Sequence, residues 1–345
     1  NLSRIREVTI EDLLGREAVE LDLDAIRAFI HGKRVLVTGA GGSIGSELCR
    51  LVARFGPEEL VLLEQAENAL FEIHSELRRD LPETNTTPVI ADVCDEDRVD
   101  RIFTEHRPQV LFHAAAHKHV PMMEWNSCEA IKNNVFGTQT VAEAAHRHRT
   151  GAFVLISTDK AVNPTSVMGA SKRVAEITIQ AMSQRADTET KFMAVRFGNV
   201  LGSAGSVIPV FRKQILDGGP VTVTHPDMKR YFMTIPEACQ LVMQTATMGE
   251  GGEIFVLDMG KPVRIETLAR DMIKLSGLTE DEIPIVYSGV REGEKLFEEL
   301  SRDSEQMTRT RHRKIYIGRI DAHAPDVVER WLEQLAAIRN DTSRE

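Results

Sequence analysis

The sequence predicts an α/β fold, a doubly wound parallel sheet with a smaller C-terminal lobe. Three observations carry this. Short, continuous apolar runs recur from Lys33 to Asn199; amphipathic stretches of helical period separate them; a glycine-rich turn joins the first run to the first such stretch. Runs that are apolar throughout, rather than alternating, belong to strands buried on both faces, as in a parallel sheet covered by helices.

In chain order, residues 1–32 form a polar lead-in with one amphipathic helical pattern around Leu21 to Ile30. "KRVLVTGAGGSIGSELCRLVARFG" then reads as strand, glycine turn and helix. Further apolar runs end at Glu64, Asp92, Ala116, Ser157 and Asn199, with helical patterns at 66–80, 95–106, 127–148 and 168–185 between them. Residues 33–199 are thus expected to form a Rossmann-type nucleotide-binding domain. Beyond Asn199 the rhythm breaks into Gly, Pro and single short strands, with helices near 236–248, 265–276 and 325–339. Residues 200–345 are expected to form mainly a substrate-binding lobe over the strand C-terminal ends, with some segments returning to the core.

Bulk properties narrow the function classes. The chain has 345 residues and a formal net charge of −10, which argues against a nucleic-acid partner because phosphate binding needs a positive surface. The four cysteines are scattered without CxxC or metal-ligand spacing and read as reduced thiols in a cytoplasmic setting. No apolar run reaches membrane-spanning length and no signal peptide is visible. The chain starts without Met, as a segment of a longer protein or a processed chain would.

The first site is the turn "TGAGGSIG", with Gly39, Gly42 and Gly45 at GxxGxxG spacing. Gly39 permits the tight turn, Gly42 lets the backbone approach a pyrophosphate, and Gly45 lets helix and strand pack closely. Ser43 and Ile44 lie at the helix start, where free N–H groups and the positive dipole end meet phosphates. Glu64, about twenty residues on, is placed to accept hydrogen bonds from the adenosine ribose and to repel a 2′-phosphate, so NAD is expected over NADP. Asp92, with Val93 beside it, is a candidate partner for the adenine amino group. "HAAAHKH" closes the fourth strand beneath the nicotinamide half, presenting Ala114, Ala115 and Ala116. His113, His117 and His119 alternate there without matching ligands elsewhere, so they read as local polar contacts and no metal site is expected.

The second site is "STDKAVNPTSVMGASKR", Ser157 to Arg173. Here the chain resembles the extended short-chain dehydrogenase/reductase family. Within it the chain resembles the CapD-like polysaccharide-biosynthesis branch, the UDP-N-acetylglucosamine 4,6-dehydratases. The resemblance rests on that segment with "VLVTGAGGSIGSEL", "HAAAHKHVPMME", "NNVFGT", "RFGNVLGSAGSVIPVF" and "REGEKLFEEL", in the family's order over about residues 33–300. It adds Asn134, in "NNVFGT", and Lys172 to the expected cofactor contacts. "IEDLLGR" resembles the linker that follows a membrane-spanning region in long members, which would put such a full-length protein on the cytoplasmic face of the inner membrane. Homo-oligomerisation is also implied.

The resemblance implies a reaction in which bound NAD takes hydride from sugar carbon 4, water leaves across carbons 5 and 6, and hydride returns to carbon 6. Elimination beside a ketone needs a base at carbon 5 and an acid at the carbon 6 hydroxyl. Asp159 is the expected acid and Lys160 the expected base. Free carboxyl and ammonium groups, at about 3.9 and 10.4, ionise the wrong way for these roles near neutral pH. Desolvation under a sugar corrects both, and an ion pair between them opposes the correction; a plain strand-end salt bridge is the competing reading.

Lys172 falls one helical turn after Met168, where related dehydrogenases carry Tyr. A thioether cannot exchange a proton, so Thr158 is expected to meet the carbon 4 hydroxyl, with relay through water or Asp159; the competing reading of Met168 is packing against the nicotinamide alone. For the substrate, Asn199 and Ser206 would reach phosphate and Arg230 and Arg291 would clamp a diphosphate. Glu294 would accept from the uridine ribose, and Lys118 and Glu124 are weaker candidates. "RTRHRK" near the C-terminus reads as a solvated basic face. The Met-containing type leans toward retention at carbon 5. A nucleotide-sugar 4-epimerase and a non-catalytic NAD-binding scaffold are the alternatives.

Overall fold

A computed structural model describes residues 19–301, 307–318, 320 and 322–340. "IEDLLGR" lies outside the described residues. The first helix, α1 (Leu23–Ile30), is capped by the Asp22 carboxylate, which accepts from Ala25 N, and buries Ile26 and Ile30. The elements that follow are β1 (Arg34–Thr38), α2 (Ser43–Ala53), β2 (Glu59–Glu64), α3 (Glu67–Asp80), β3 (Thr86–Ile90), α4 (Glu96–His106) and β4 (Val110–His113). Then come α5 (Val120–Trp125), α6 (Ser127–Ala130), α7 (Thr138–Arg147), β5 (Ala152–Thr158), α8 (Val167–Ser183), β6 (Lys191–Phe197) and β7 (Asn199–Val200).

The second part contributes α9 (Val207–Leu216), β8 (Val221–Val223), β9 (Lys229–Arg230), β10 (Phe232–Met233), α10 (Ile235–Ala246) and β11 (Ile254–Leu257). It ends with β12 (Val263–Arg264), α11 (Ile265–Leu275), β13 (Ile285–Tyr287), β14 (Met307–Arg309), β15 (Ile315–Gly318) and α12 (Pro325–Ile338).

The main sheet runs β14-β15-β11-β6-β5-β4-β1-β2-β3, parallel from β11 to β3, with β15 and β14 antiparallel at the edge. Its strands alternate between two cores. In β1, Val35 and Val37 join one cluster while Leu36 joins the other, so every residue of the run must be apolar. Strand order reverses between β1 and β4, and at such a switch point the loops on the strand C-terminal ends diverge into a crevice.

The segment after Asn199 divides its allegiance. β11, β15 and β14 extend the main sheet, and α10 packs on α2 against the first core. A separate small core gathers Phe211 and Ile215 of α9, Val221 and Val223 of β8, and Leu268, Met272 and Ile273 of α11. This lobe stands over the C-terminal ends of the parallel strands, where β7 pairs with β10 and β9 with β12. The predicted helix at 127–148 is broken: Ile131–Gly137 is π-helical between α6 and α7. Such an interruption commonly marks a functional neighbourhood.

Candidate active site

The glycine turn after β1 has the conformation its spacing demands. Gly39 has φ +66, and a Cβ there would lie 2.7 Å from Ala115 N, so the turn presses directly on the segment leaving β4. A Cβ on Gly45 would run into the Gly39 carbonyl. Gly42 caps α2 without a side-chain hydrogen bond, leaving the helix's first N–H groups for an anion. Gly42, Ser43, Ile44 and Gly45 form one wall of a cavity of about 790 Å³ that also reaches Ala114, Ala116 and the second-part lobe.

Glu64 ends β2 and braces the turn. Its Oε2 accepts from Gly41 N at 3.0 Å, and Oε1 accepts from Gln65 N and Ala66 N at 2.9 and 3.0 Å. Asp92 accepts from Cys94 N at 2.8 Å. Val93 is buried at the position a Gly137 Cβ would meet. Glu64, Asp92 and Val93 lie beyond the main cavity, on the β2 and β3 side of the switch point. His113 is fully buried between Thr38 Oγ1 at 2.8 Å and Thr138 Oγ1 at 3.1 Å. Burial, with the nearby Lys172 charge, pushes its pKa down to about 3, so it is a neutral brace.

Asn134 packs behind the cavity wall. Its amide is buried in the π-helical turn, accepting from His117 N at 2.8 Å and donating to His117 O and to Ser171 Oγ, each at 3.0 Å. These bonds use the side chain to fix the loop after β4 against α8. It positions the wall without lining it.

At the end of β5, Thr158 leads into a 3₁₀ turn, Asp159–Ala161. α8 then starts at Ser166, whose hydroxyl accepts from Gly169 N at 3.0 Å. A Cβ on Gly169 would collide with the Lys160 carbonyl, so the glycine lets the helix close onto the turn. Lys160 Nζ lies 3.0 Å from Asp159 Oδ1, 3.0 Å from Asn199 Oδ1 and 3.7 Å from Glu298 Oε1. Thr158 Oγ1 donates to Asp159 Oδ1 at 2.9 Å.

Two carboxylates flank Lys160 at this turn. Asp159 is 0% exposed and is not among the cavity's lining residues; its Oδ2 faces Gly198 and has no hydrogen-bond partner among the described residues. Glu298 does line the cavity, and its Oε2 is also buried without a partner among the described residues. Burial pushes the Glu298 carboxyl above its ordinary value; Lys160 opposes this and Asp159 adds to it. Only "REGEKLFEEL" hinted at Glu298, and that motif offers several acids with nothing local to choose between them.

Met168 is buried against Val120, Met123 and Ala130 and lines the cavity. Lys172, also lining it, is held down to about 8 by burial, against the pull of Glu176. Behind them Glu176 accepts from Ser157 Oγ at 2.6 Å, Arg196 Nε at 2.7 Å and Arg173 at 3.1 Å. Burial pushes Glu176 up, but these cations and bonds outweigh it and keep it below its usual range. The network ties β5, β6 and α8 together directly under the reactive turn.

On the lobe side, Arg230, Arg291 and Glu294 line the cavity. Arg230 spends part of its fork on Lys229 O and Leu296 O, at 2.8 and 3.2 Å. Among the described residues Glu294 Oε2 and Ser206 Oγ are buried without partners, and Ser206 does not cap α9 with its side chain. Lys118 lines the cavity, its pKa lowered by burial. Glu124 does not line it; its carboxylate accepts from Val167 N at 2.7 Å and holds the start of α8. Asn199 lines the cavity but its carbonyl is engaged by Lys160. Among the described residues no group of three His, Cys, Asp or Glu side chains could hold a metal, and no helix is long and apolar enough to cross a membrane.

Residues 35–320 match the family described as "Polysaccharide biosynthesis protein". The chain belongs to that family. The matched span contains every cavity group named above. The chain is 52% identical over 335 residues to "Capsular polysaccharide biosynthesis protein CapD" of Staphylococcus aureus, covering 97% of this chain and 56% of the relative. It thus spans about half the length of that relative. More distant members are named "UDP-N-acetylglucosamine 4,6-dehydratase (inverting)", from Campylobacter jejuni, and "UDP-glucose 4-epimerase", from Rickettsia rickettsii. They are 31% and 33% identical, covering 81% and 80% of this chain and 80% of each relative. Among solved structures, Pen from Bacillus thuringiensis superimposes with a TM-score of 0.78 at 31% identity, covering 89% of this chain and 99% of that one.

Proposed function

We propose that this chain is an NAD-dependent UDP-N-acetylglucosamine 4,6-dehydratase. It would supply a UDP-4-keto-6-deoxy-N-acetylhexosamine for surface polysaccharide or glycan synthesis. The observation that carries the reading is the placement of Lys160 beside carboxylates at the end of β5, in the cavity shared by the glycine turn, Met168 and Lys172. An epimerase needs hydride transfer and rotation of a keto sugar, but no acid–base pair for elimination.

The residues fit NAD. The uncapped start of α2 and the close glycine turn accommodate a diphosphate, and Glu64 presents carboxylate oxygens at the ribose position while disfavouring a 2′-phosphate. NAD, when bound, supplies reversible hydride transfer. Lys172 is placed to bind the nicotinamide ribose, and Met168 closes the apolar wall beside it. Thr158, hydrogen-bonded to Asp159, receives the carbon 4 hydroxyl and passes its proton inward or to water. Lys160 removes and restores the carbon 5 proton. Arg230, Arg291 and Ser206 receive the UDP diphosphate, with Glu294 at the uridine ribose and Lys118 at the rim.

Retention at carbon 5 belongs to the same reading and rests on Met168 in place of Tyr; proton NMR of the product distinguishes it from the inverting outcome. A homo-oligomer is likewise expected, and a native mass measurement reads it. The deciding experiment incubates the pure chain with NAD and UDP-N-acetylglucosamine and weighs the sugar nucleotide. Loss of one water supports the dehydratase. An unchanged mass with inverted carbon 4 replaces it with an epimerase, and no conversion by NAD-loaded protein replaces it with a binding scaffold.

A further inference from the structure

We propose that Lys295 is a positioning residue that seats the turn carrying Lys160 and couples it to the nucleotide end of the cavity. The inference rests on the dehydratase reading and deepens it. The turn from Asp159 to Ser166 has to be held from outside. After its single 3₁₀ turn, Asn163 takes the left-handed conformation, φ 42, directly before Pro164. A residue other than glycine stays in that conformation where its surroundings fix it.

Here the fixing contacts come from one distant segment, residues 291–299. Lys295 Nζ donates to Val162 O at 2.9 Å, two residues after Lys160. Asn163 Nδ2 donates to Glu299 Oε2 at 3.3 Å, and Thr165 Oγ1 donates to Gly293 O at 3.2 Å. Gly293 itself presses on the start of α8: a Cβ there would lie 2.8 Å from Glu124 Oε1 and 2.9 Å from Ser166 Cβ. Lys295 is the hub of these ties. Its side chain is only 14% exposed, so its bonds are largely shielded from water, and Nζ joins Val162 O to Glu299 Oε2, the latter at 3.1 Å. Bonds from Lys295 and Asn163 hold the Glu299 carboxyl below its ordinary value, which keeps it an anion opposite the ammonium.

The same segment faces the nucleotide. Arg291, Gly293, Glu294 and Lys295 all line the cavity. Residues 291–299 form neither helix nor strand, so their place is set by what they touch. On one side that is the reactive turn. On the other it is β9, where Lys229 N donates to Leu296 O at 3.0 Å and Arg230 to the same carbonyl at 3.2 Å. A diphosphate on Arg291 and a ribose on Glu294 add a third fixed point, and Lys295 transmits it to the backbone beside Lys160. Binding free energy from the unreacting nucleotide is thereby used to place the base.

The test compares wild type with Lys295→Met and Lys295→Arg. Three quantities are read: turnover of UDP-N-acetylglucosamine, UDP affinity by calorimetry, and hydrogen exchange of the amides in residues 159–166 with and without UDP. Lys295→Met should lower kcat about tenfold or more, the scale of a misplaced reacting group. KM and UDP affinity should stay within about threefold, because the ground-state contacts survive. Lys295→Arg still offers a donor to Val162 O and should recover at least part of the loss. UDP should slow exchange in the wild-type turn about fivefold or more, as coupled sites do, and the slowing should vanish in Lys295→Met.

Turnover by Lys295→Met near the wild-type rate overturns the proposal, whatever happens to its thermal midpoint. So does a loss of UDP affinity that accounts for the whole fall in kcat/KM, which would make Lys295 a diphosphate contact. Exchange in the wild-type turn that ignores UDP overturns the coupling. Should Lys295→Met not fold, Thr165→Val, which removes only the tie to Gly293 O, must show the same split of kcat against KM; unchanged turnover then overturns the proposal. A wild type that releases no water from this substrate removes the dehydratase reading. The exchange measurement needs no turnover, so it still decides whether Lys295 links the turn to UDP.

Discussion

Lys172 shows how one residue trades stability for chemistry. It is 4% exposed, and burial pushes its pKa down to about 8, well below the ordinary lysine value. The folded value lies below the unfolded one, so the unfolded chain binds more protons between about pH 8 and the free-lysine value. The burial penalty is therefore full below pH 8 and fades as pH rises toward the unfolded value. Lys172→Met should stabilise the apoprotein at neutral pH, by up to about 3 kcal/mol on the scale of 1.36 kcal/mol per pKa unit. It should also weaken NAD binding. Urea denaturation at pH 7 and pH 10 checks it: the variant's advantage must shrink at the higher pH.

At the scale of elements, the reactive turn is held by a buried ionic brace and a helix that approaches without a side chain. Arg196 on β6 is fully buried and bonds Glu176 of α8, which also takes Ser157 at the end of β5. Removing one partner leaves an uncompensated buried charge, so Arg196→Met should cost about 3–5 kcal/mol. Urea unfolding reads this loss, and Arg196→Lys should restore little because a lysine cannot reproduce the two-pronged contact. Glu176 has its folded pKa lowered, so its contribution is present above the unfolded carboxylate pKa and is lost as pH falls through the folded value. Gly169→Ala tests the approach of α8 to the turn. The added methyl must push the helix off the Lys160 carbonyl. Turnover should fall about tenfold or more, since small displacements of a reacting group carry such costs, while UDP affinity, read by calorimetry, changes little.

For the whole molecule, what the sequence discloses follows from the range of each interaction. Buried parallel strands declare themselves because both neighbours of every residue are apolar, as Val35, Leu36 and Val37 show. The glycine turn is equally local. The π-helical turn at Ile131–Gly137 left no signal, because one inserted residue barely alters the helical period. Nor could spacing reveal that Asn134 spends its amide on His117 and Ser171, or that Glu298 reaches the cavity from a distant segment.

The clearest test of the assembled molecule is selective stabilisation by its cofactor. Any ligand that binds only the folded state stabilises by an amount set by its concentration over its Kd, about 2.7 kcal/mol at a hundredfold excess. Glu64 contributes carboxylate charge at the end of β2 while holding the glycine turn through Gly41 N. NAD should therefore raise the thermal midpoint, and NADP at the same concentration should raise it far less. Glu64→Gln keeps much of the carboxylate's shape and removes its charge, so the gap between the cofactors should narrow. A wild-type midpoint that rises equally with both would show that Glu64 does not face the ribose; a gap unchanged in Glu64→Gln would place the discrimination in another part of the fold.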